Sequence, residues 1–380
     1  MIELGLNQRD FRETYFEQKP HHFQGALTER PFTWSSIDRL LHMLDPASPT
    51  IRLFHHGQLP EHAYTDEFVE LGKPRRRLNK SKFYEYLQSG ATLQINWLER
   101  YSVEAKRLCL EVGRFAGAQT SGNAYLSFSG DGTFGKHWDT HDVFAIQLIG
   151  RKRWRLFAPT LPLPLAHQSH DRSGHQCPAE PSIELTMEEG DVLYLPRGWW
   201  HHVVPLQVGS LHFSVGCYTP KLFDYVVQTS AKYLELEVAA RRSFSPNDYR
   251  ETLAQLLENL KVVLADPANA AAFDLDFVSR ERMSAEFNLA FLDSPAPTLP
   301  DTALLSLATF SAPKLEGGTF VVNGVQLSLE PLSRAVVAAL SGCSSTSVGE
   351  LCSRLNNAPP DAIRRAVLDL ARQDIVTIQS

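Results

Sequence analysis

The sequence predicts a mixed α and β protein built around a double-sheet jelly roll. Three observations lead there. From Ala124 to Tyr218 the apolar residues recur every second position in short runs, the period of strands with one face in a core. Gly, Pro and Asp separate those runs at close intervals, which suits antiparallel strands better than a parallel α/β sheet. On both sides of this block the period lengthens to that of helices.

Taken in order, Phe11 to Phe16 and Ile37 to Leu44 have helical spacing, and Thr92 to Leu98 reads as a strand entering a core. Val103 to Phe115 places Ala105, Leu108, Leu110, Val112 and Phe115 around a largely buried helix. The predicted strands are Ala124 to Phe128, Val143 to Leu148, Arg153 to Phe157, Ile183 to Leu185, Val192 to Leu195 and Leu211 to Cys217, with Gly150-Arg151 closing a hairpin. After Pro220 the strands stop. Leu222 to Arg242 and Asn247 to Leu264 read as amphipathic helices, the second with Ser245 as N-cap, Pro246 at its first position and Leu253, Leu256, Leu257, Leu260 and Leu264 as its stripe. A loop through Ser294, Pro295, Ala296 and Pro297 precedes a last unit. There Ser347 and Glu350 form a capping box, Asp361 to Arg372 a helix and Ile375 to Ile378 a strand. That order resembles a winged helix. The expected division is a jelly-roll domain with N-terminal helical and strand additions over 1–220, a helical module over 221–295 and a winged-helix-like domain over 296–380.

Composition narrows the function classes. The chain has 380 residues, 43% of them hydrophobic and 21% charged, with a formal net charge of -6. No whole-protein basic field exists to attract nucleic acid or an anionic membrane. Residues 301–380 hold six Arg or Lys against seven Asp or Glu, so the winged-helix-like unit lacks the footprint of a DNA-binding domain and is expected to contact protein. Met1 to Asp10 show no charged-then-apolar leader pattern and no run of about 18 apolar residues occurs, so a cytoplasmic chain without membrane contact is expected. Five scattered cysteines with no Cys-x-x-Cys pair argue against a disulfide framework or a four-cysteine zinc site.

The chemistry lies in His137-Trp138-Asp139 and in Pro196-Arg197-Gly198-Trp199-Trp200-His201. Residues i and i+2 of a strand share a face, so His137 and Asp139 can reach one ion while Trp138 packs away from it. Gly190 to Pro196 is a turn and a strand whose end returns His201 toward the barrel interior. Two imidazoles and one hard carboxylate suit ferrous iron and leave three positions open for a co-substrate and dioxygen. His202 is expected on the opposite face from His201. His141 lies at i+2 from Asp139 and can also face inward, and His212 packs or hydrogen-bonds inside the pocket. Trp199 and Trp200 are core aromatics by the ordinary reading. Asn123, Ser127, Trp138 and His141 adjoin iron-facing positions and are candidate substrate contacts. The polar segment 159–181, with His167, His170, His175 and Cys177, matches no compact zinc spacing and reads as a flap over the substrate.

Three stretches carry a family resemblance. His137-Trp138-Asp139, Asp142 to Leu156 and Gly190 to His201 resemble the JmjC, or cupin-type, 2-oxoglutarate oxygenases, and among them the ribosomal oxygenases. Tyr15-Phe16-Glu17-Gln18-Lys19-Pro20 and the order of jelly roll, helical module and winged helix resemble that subfamily too. The resemblance implies His137, Asp139 and His201 as ligands of Fe(II). It also implies Lys152 as anchor of the distal carboxylate of 2-oxoglutarate, with Tyr125 and Ser214 as hydroxyl donors. Without the family, Lys152 reads as an exposed hairpin lysine. A charged anchor plus hydroxyls is the chemistry that a dicarboxylate needs. The implied reaction couples decarboxylation of 2-oxoglutarate to hydroxylation of a protein side chain, of the Arg or His class, by dioxygen. The implied assembly is a homodimer through the helical module, and the implied partner a ribosomal protein. Three rival readings are the same chemistry on a biosynthetic peptide, a non-catalytic metal-binding cupin, which would tend to lose a ligand or Lys152, and a DNA-binding regulator.

Overall fold

The computed structural model describes residues 2–46, 48–172, 174–280, 285–289, 299–310, 320–341, 343 and 345–379. The chain divides into two compact units, Met1–Tyr218 and Thr219–Ser380.

The first unit begins with α1 (Gln8–Thr14), β1 (His21–Phe23), α2 (Trp34–Met43), β2 (Ile51–Phe54), β3 (Thr65–Glu70), β4 (Lys73–Leu78), α3 (Lys80–Gln88), β5 (Thr92–Ile95) and α4 (Val103–Ala116). Then come β6 (Gln119–Ser127), β7 (Asp142–Ile149), β8 (Lys152–Phe157), β9 (Ile183–Met187), β10 (Val192–Leu195), β11 (Trp200–Pro205) and β12 (Ser210–Tyr218). Two antiparallel sheets stack as the double layer, and β3 and β4 pair apart as a two-stranded ribbon. The larger has the order β1-β10-β7-β12-β6-β5-β2 and the smaller β11-β8-β9, so the predicted double-sheet architecture is what forms.

Strand β7 explains why the sheets stack. Its sequence is apolar almost throughout because both faces are covered. Phe144, Ile146 and Leu148 join the core made with Phe11 of α1 and Leu108 and Val112 of α4. Val143 and Ala145, on the alternate face, pack with Trp154, Leu156 and Met187 of the smaller sheet. Helix α4 is fixed at both ends: the Ser102 side chain accepts from the Ala105 N–H, and Gly117 closes it at φ 66°.

In this unit two expectations need correction. Gly150-Arg151 does not close a hairpin: β7 pairs with β10 and β12, whereas β8 pairs with β11 and β9. The dipeptide carries the chain from one sheet to the other, with Gly150 at φ 64°. His201 does not sit at the end of the strand that begins at Val192. It lies on β11, which belongs to the opposite sheet. The turn between β10 and β11 needs Gly198, at φ 86°, whose N–H donates to the Asp139 carbonyl at 3.0 Å. A Cβ there would meet the Leu161 carbonyl oxygen at 2.6 Å and Pro164 Cδ at 2.7 Å. Gly198→Ala therefore adds backbone strain and a clash together, and about 2–3 kcal/mol of stability should be lost, or roughly 4–10 °C in Tm. Calorimetry checks this, and an unchanged Tm would show that the turn relaxes freely.

In the second unit α5 (Leu222–Leu234), α6 (Tyr249–Ala265) and α7 (Pro267–Arg280) form a helical group. The Tyr225 hydroxyl donates to the Leu264 carbonyl at 2.8 Å, and the Gln228 side chain to Asp276 at 2.7 Å. Helix α5 ends well before Arg242, and Asp248 rather than Ser245 holds the N-cap position of α6. Of the expected stripe, Leu256 is buried while Leu253 and Leu257 are exposed. The Ser294 to Pro297 loop lies outside the described residues. The C-terminal part comprises β13 (Leu304–Leu307), β14 (Phe320–Val322), β15 (Val325–Leu327), α8 (Pro331–Ser341), β16 (Thr346–Ser347), α9 (Val348–Arg354), α10 (Pro360–Ala371) and β17 (Val376–Gln379). Its three-stranded sheet has the order β16-β13-β17. The Ser347 and Glu350 capping box forms as the sequence predicts. No helix among the described residues is long and apolar enough to cross a membrane.

Candidate metal centre

His137, just before β7, and His201, on β11, face each other across a single antiparallel bridge. The His137 N–H donates to the His201 carbonyl at 3.2 Å and the His201 N–H to the His137 carbonyl at 2.8 Å. The two rings lie 4.2 Å apart between centroids. Asp139 Oδ2 stands 3.7 Å from His201 Nε2, and one donor atom from each of the three residues falls within 4.8 Å of the others. Among the described residues no other group of three His, Cys, Asp or Glu side chains is arranged this way. His167, His170, His175 and Cys177 therefore do not converge on an ion.

The ring orientations suit ligation. His137 Nδ1 is 3.2 Å from the Gly135 carbonyl and His201 Nδ1 3.3 Å from the Trp199 carbonyl. A carbonyl only accepts, so each Nδ1 carries the proton and each Nε2 lone pair is free for a metal. Burial first, then the neighbouring His137 imidazole, pushes His201 down to about 3. Burial alone would raise Asp139, but the imidazoles of His141, His201 and His137 outweigh it and hold the carboxyl below its ordinary value. At neutral pH both are in their ligating forms. Two imidazoles and a carboxylate with their protons so placed fit a divalent first-row ion such as Fe(II).

These residues open into a cavity of about 130 Å³ between the sheets. Tyr125, Lys152 and Ser214 line it, as do Asn123, Ser127 and His141. Lys152 is no exposed lysine. It is 2% exposed, and its Nζ donates to the Tyr125 carbonyl and meets His212 Nδ1, each at 2.9 Å. Burial lowers its pKa to about 7. Burial, with Asp139 nearby, raises the Tyr125 phenol, and burial takes Tyr218 up to about 12. Asn123 Oδ1 accepts from the Trp97 N–H at 3.2 Å, the Ser127 hydroxyl faces that of Ser210 at 3.4 Å, and His141 stacks on Tyr218 at 4.8 Å.

Trp138 must be withdrawn as a substrate contact. It is 2% exposed and packs edge-on against Trp200 at 4.5 Å, with Phe157 in the same cluster. Strand-like alternation points it away from the ligands flanking it. Its indole N–H donates to the Gln168 carbonyl at 3.2 Å, and that of Trp200 to the Thr160 hydroxyl at 3.0 Å. Segment 159–181 is thus fastened to this cluster at two points. His170 of that segment lies 5.7 Å from His137 between ring centroids. His202 turns outward, with Nε2 at 3.0 Å from the Asp131 carbonyl. Sequence reasoning missed Phe134, which lines the cavity 5.4 Å from the Tyr125 ring and 6.4 Å from that of His137. Its signal was available: an aromatic residue framed by Gly130, Gly132 and Gly135, each at positive φ.

The fold and site define a cupin-type double-stranded β-helix with a two-histidine, one-carboxylate centre. Residues 97–225 match the model of the JmjC domain family. The chain is 31% identical over 171 residues to ribosomal oxygenase 2 of Rattus norvegicus, a match covering 42% of this chain and 36% of that protein. It is 26% identical over 257 residues to the bifunctional lysine-specific demethylase and histidyl-hydroxylase NO66 of Dictyostelium discoideum, covering 64% of this chain and 48% of that one. The chain thus spans less than half the length of these curated relatives. Among solved structures, the ribosomal oxygenase YcfD from Escherichia coli in complex with cobalt and 2-oxoglutarate matches over 100% of both chains, with a TM-score of 0.59 and 18% identity.

Proposed function

We propose that this chain is an Fe(II)- and 2-oxoglutarate-dependent oxygenase that hydroxylates a side chain, of the arginine or histidine class, in a ribosomal protein. The observation that carries the reading is one cavity holding both the convergent His137, Asp139 and His201 and the buried Lys152. A buried lysine with most of its surroundings satisfied is costly unless an anion uses it. The relatives named as ribosomal oxygenase and histidyl-hydroxylase support the substrate class.

His137, Asp139 and His201 would hold the iron, while Lys152, Tyr125 and Ser214 would hold the distal carboxylate of the co-substrate. Bound together, Fe(II) and 2-oxoglutarate supply the chemistry by which dioxygen places one oxygen atom on a C–H carbon and the other in succinate, with carbon dioxide released. The protein orients the donors before the ion arrives, and Trp154 and Val143 add apolar surface to the cavity lining. Asn123 and His141 face the same space and would meet the entering side chain, while Ser127 already shares its hydroxyl with Ser210. The helical group over 221–295 would serve as a homodimer module, given the exposed Leu222, Phe223, Val227 and Val262. Residues 296–380 would form a winged-helix-like protein-contact domain, and the enzyme would work in the cytoplasm.

The test is oxygen-dependent succinate release after anaerobic loading with Fe(II), in the presence of ribosomal protein fractions, followed by a search for a +16 Da product. Turnover should appear with one fraction and fall at least 100-fold in His137→Ala. No turnover with any fraction, or full turnover in the variant, would sink the reading.

A further inference from the structure

Lys152 reaches its place from β8 of the smaller sheet, whereas the residue that meets it comes from β12 of the larger one. His212 lies two positions before Ser214, on the same face of β12 and lining the same cavity. It is 6% exposed, and its Nδ1 is 2.9 Å from Lys152 Nζ. Its ring is clamped by stacking on Tyr125, with centroids 5.0 Å apart and planes at 12°, and by the edge contact of Trp154 at 5.4 Å.

The chemistry of the contact fixes its polarity. An ammonium carries three N–H donors and no acceptor. With Lys152 in its ammonium form, His212 Nδ1 must accept, and the ring proton resides on Nε2. Burial, reinforced by the Lys152 charge, keeps the imidazole neutral. The Tyr125 carbonyl takes a second N–H, so a single one is left. A lysine is a point charge on a flexible four-carbon stem and does not by itself choose a direction. Here two acceptors from two neighbouring strands choose it.

We propose that His212 is a positioning residue for the co-substrate anchor, aiming the one remaining Lys152 N–H at the distal carboxylate of a dicarboxylic keto acid. This rests on the oxygenase reading of the cavity. It assigns His212 to selectivity for keto acids with a second carboxylate over those without one. His212 meets Lys152 and is no member of the His137, Asp139 and His201 set.

Three proteins decide the matter: the parent, His212→Phe, which keeps a flat ring on Tyr125 but has no acceptor, and His212→Gln, which restores one. Calorimetric titration of the Co(II)-loaded proteins with 2-oxoglutarate and with pyruvate should show the Phe variant binding 2-oxoglutarate roughly 10- to 100-fold more weakly, the value of one charge-assisted hydrogen bond. Pyruvate affinity should be unchanged, and Gln should recover most of the loss. Equal weakening toward both acids, or none, overturns the proposal. The ¹⁵N spectrum of the metal-free parent at pH 6, where Lys152 is an ammonium, gives an answer that needs no co-substrate: His212 should be the Nε2–H tautomer. An Nδ1–H tautomer overturns the inference even if 2-oxoglutarate binds. A parent that binds neither acid but shows the expected tautomer condemns the oxygenase reading, and with it the selectivity assigned to His212.

Discussion

Asp139→Ala is expected to weaken Co(II) or Mn(II) binding by more than about 100-fold, beyond what outer partners of a metal site usually contribute. The carboxylate is the sole anion of the set, so its removal takes away a ligand atom and the charge that compensates the ion. The two imidazoles that remain keep their carbonyl partners at Gly135 and Trp199 and still offer two donors, which leaves weak residual binding. The fold itself should hardly respond. The Asp139 side chain is 33% exposed, and the backbone contact of its segment is made by its carbonyl to Gly198, which alanine retains. Equilibrium dialysis alongside a thermal melt tests both halves. Parent-like affinity would exclude Asp139 from the centre, and a collapsed melt would reassign it to structure.

Lys152→Met should stabilise the metal-free protein at low pH and abolish tight co-substrate binding. In the folded chain burial holds this lysine at about 7 against an ordinary 10.5. Below pH 7 the lysine is charged in both states, and the folded state bears the whole cost of burying that charge. Between pH 7 and 10.5 the unfolded chain carries the extra proton, so the parent's stability rises with pH through that window. The shift corresponds to roughly 5 kcal/mol at its limit. Methionine has a similar length and no charge, but it leaves the Tyr125 carbonyl and His212 Nδ1 without a donor, which offsets part of the gain. A net gain of about 1–3 kcal/mol at pH 6, fading by pH 10, is expected in urea denaturation. Meanwhile 2-oxoglutarate affinity should fall by at least about 100-fold, the usual result of removing one partner of a buried charge pair. A variant less stable than the parent at pH 6, or a parent without the upward slope, would refute the buried-charge account.

Much of this site was legible because its signals are local. The spacing of His137 and Asp139 works on any extended segment, and the apolar runs follow from burial, on alternate residues in β6 and on both faces in β7 and β12. What escaped depends on pairing, which one strand does not encode. Gly150-Arg151 has the composition of a hairpin, yet the hydrogen bonds of β7 and β8 go to different partners. Strand β11, Trp-His-His-Val-Val-Pro, lacks clean alternation because His201 faces the cavity and His202 the solvent side. The β3–β4 hairpin escaped as well: Lys73 to Leu78 is mostly charged, with Arg76 answered by Glu61 and Glu67 rather than by an apolar face. Helix α7, with its Ala-Ala-Ala core, has too weak a stripe to stand out.

The reciprocal backbone bridge between His137 and His201 gives the centre a property that ligand identity alone does not. Residues 64 positions apart in sequence are joined by amide hydrogen bonds in both directions, so the two imidazoles are docked before any ion arrives. Folding, and not metal capture, bears the entropic cost of bringing them together. An empty centre of this kind stays a receptor of fixed shape. Metal can then be lost and regained by ordinary exchange, without the barrel having to unfold and fold again.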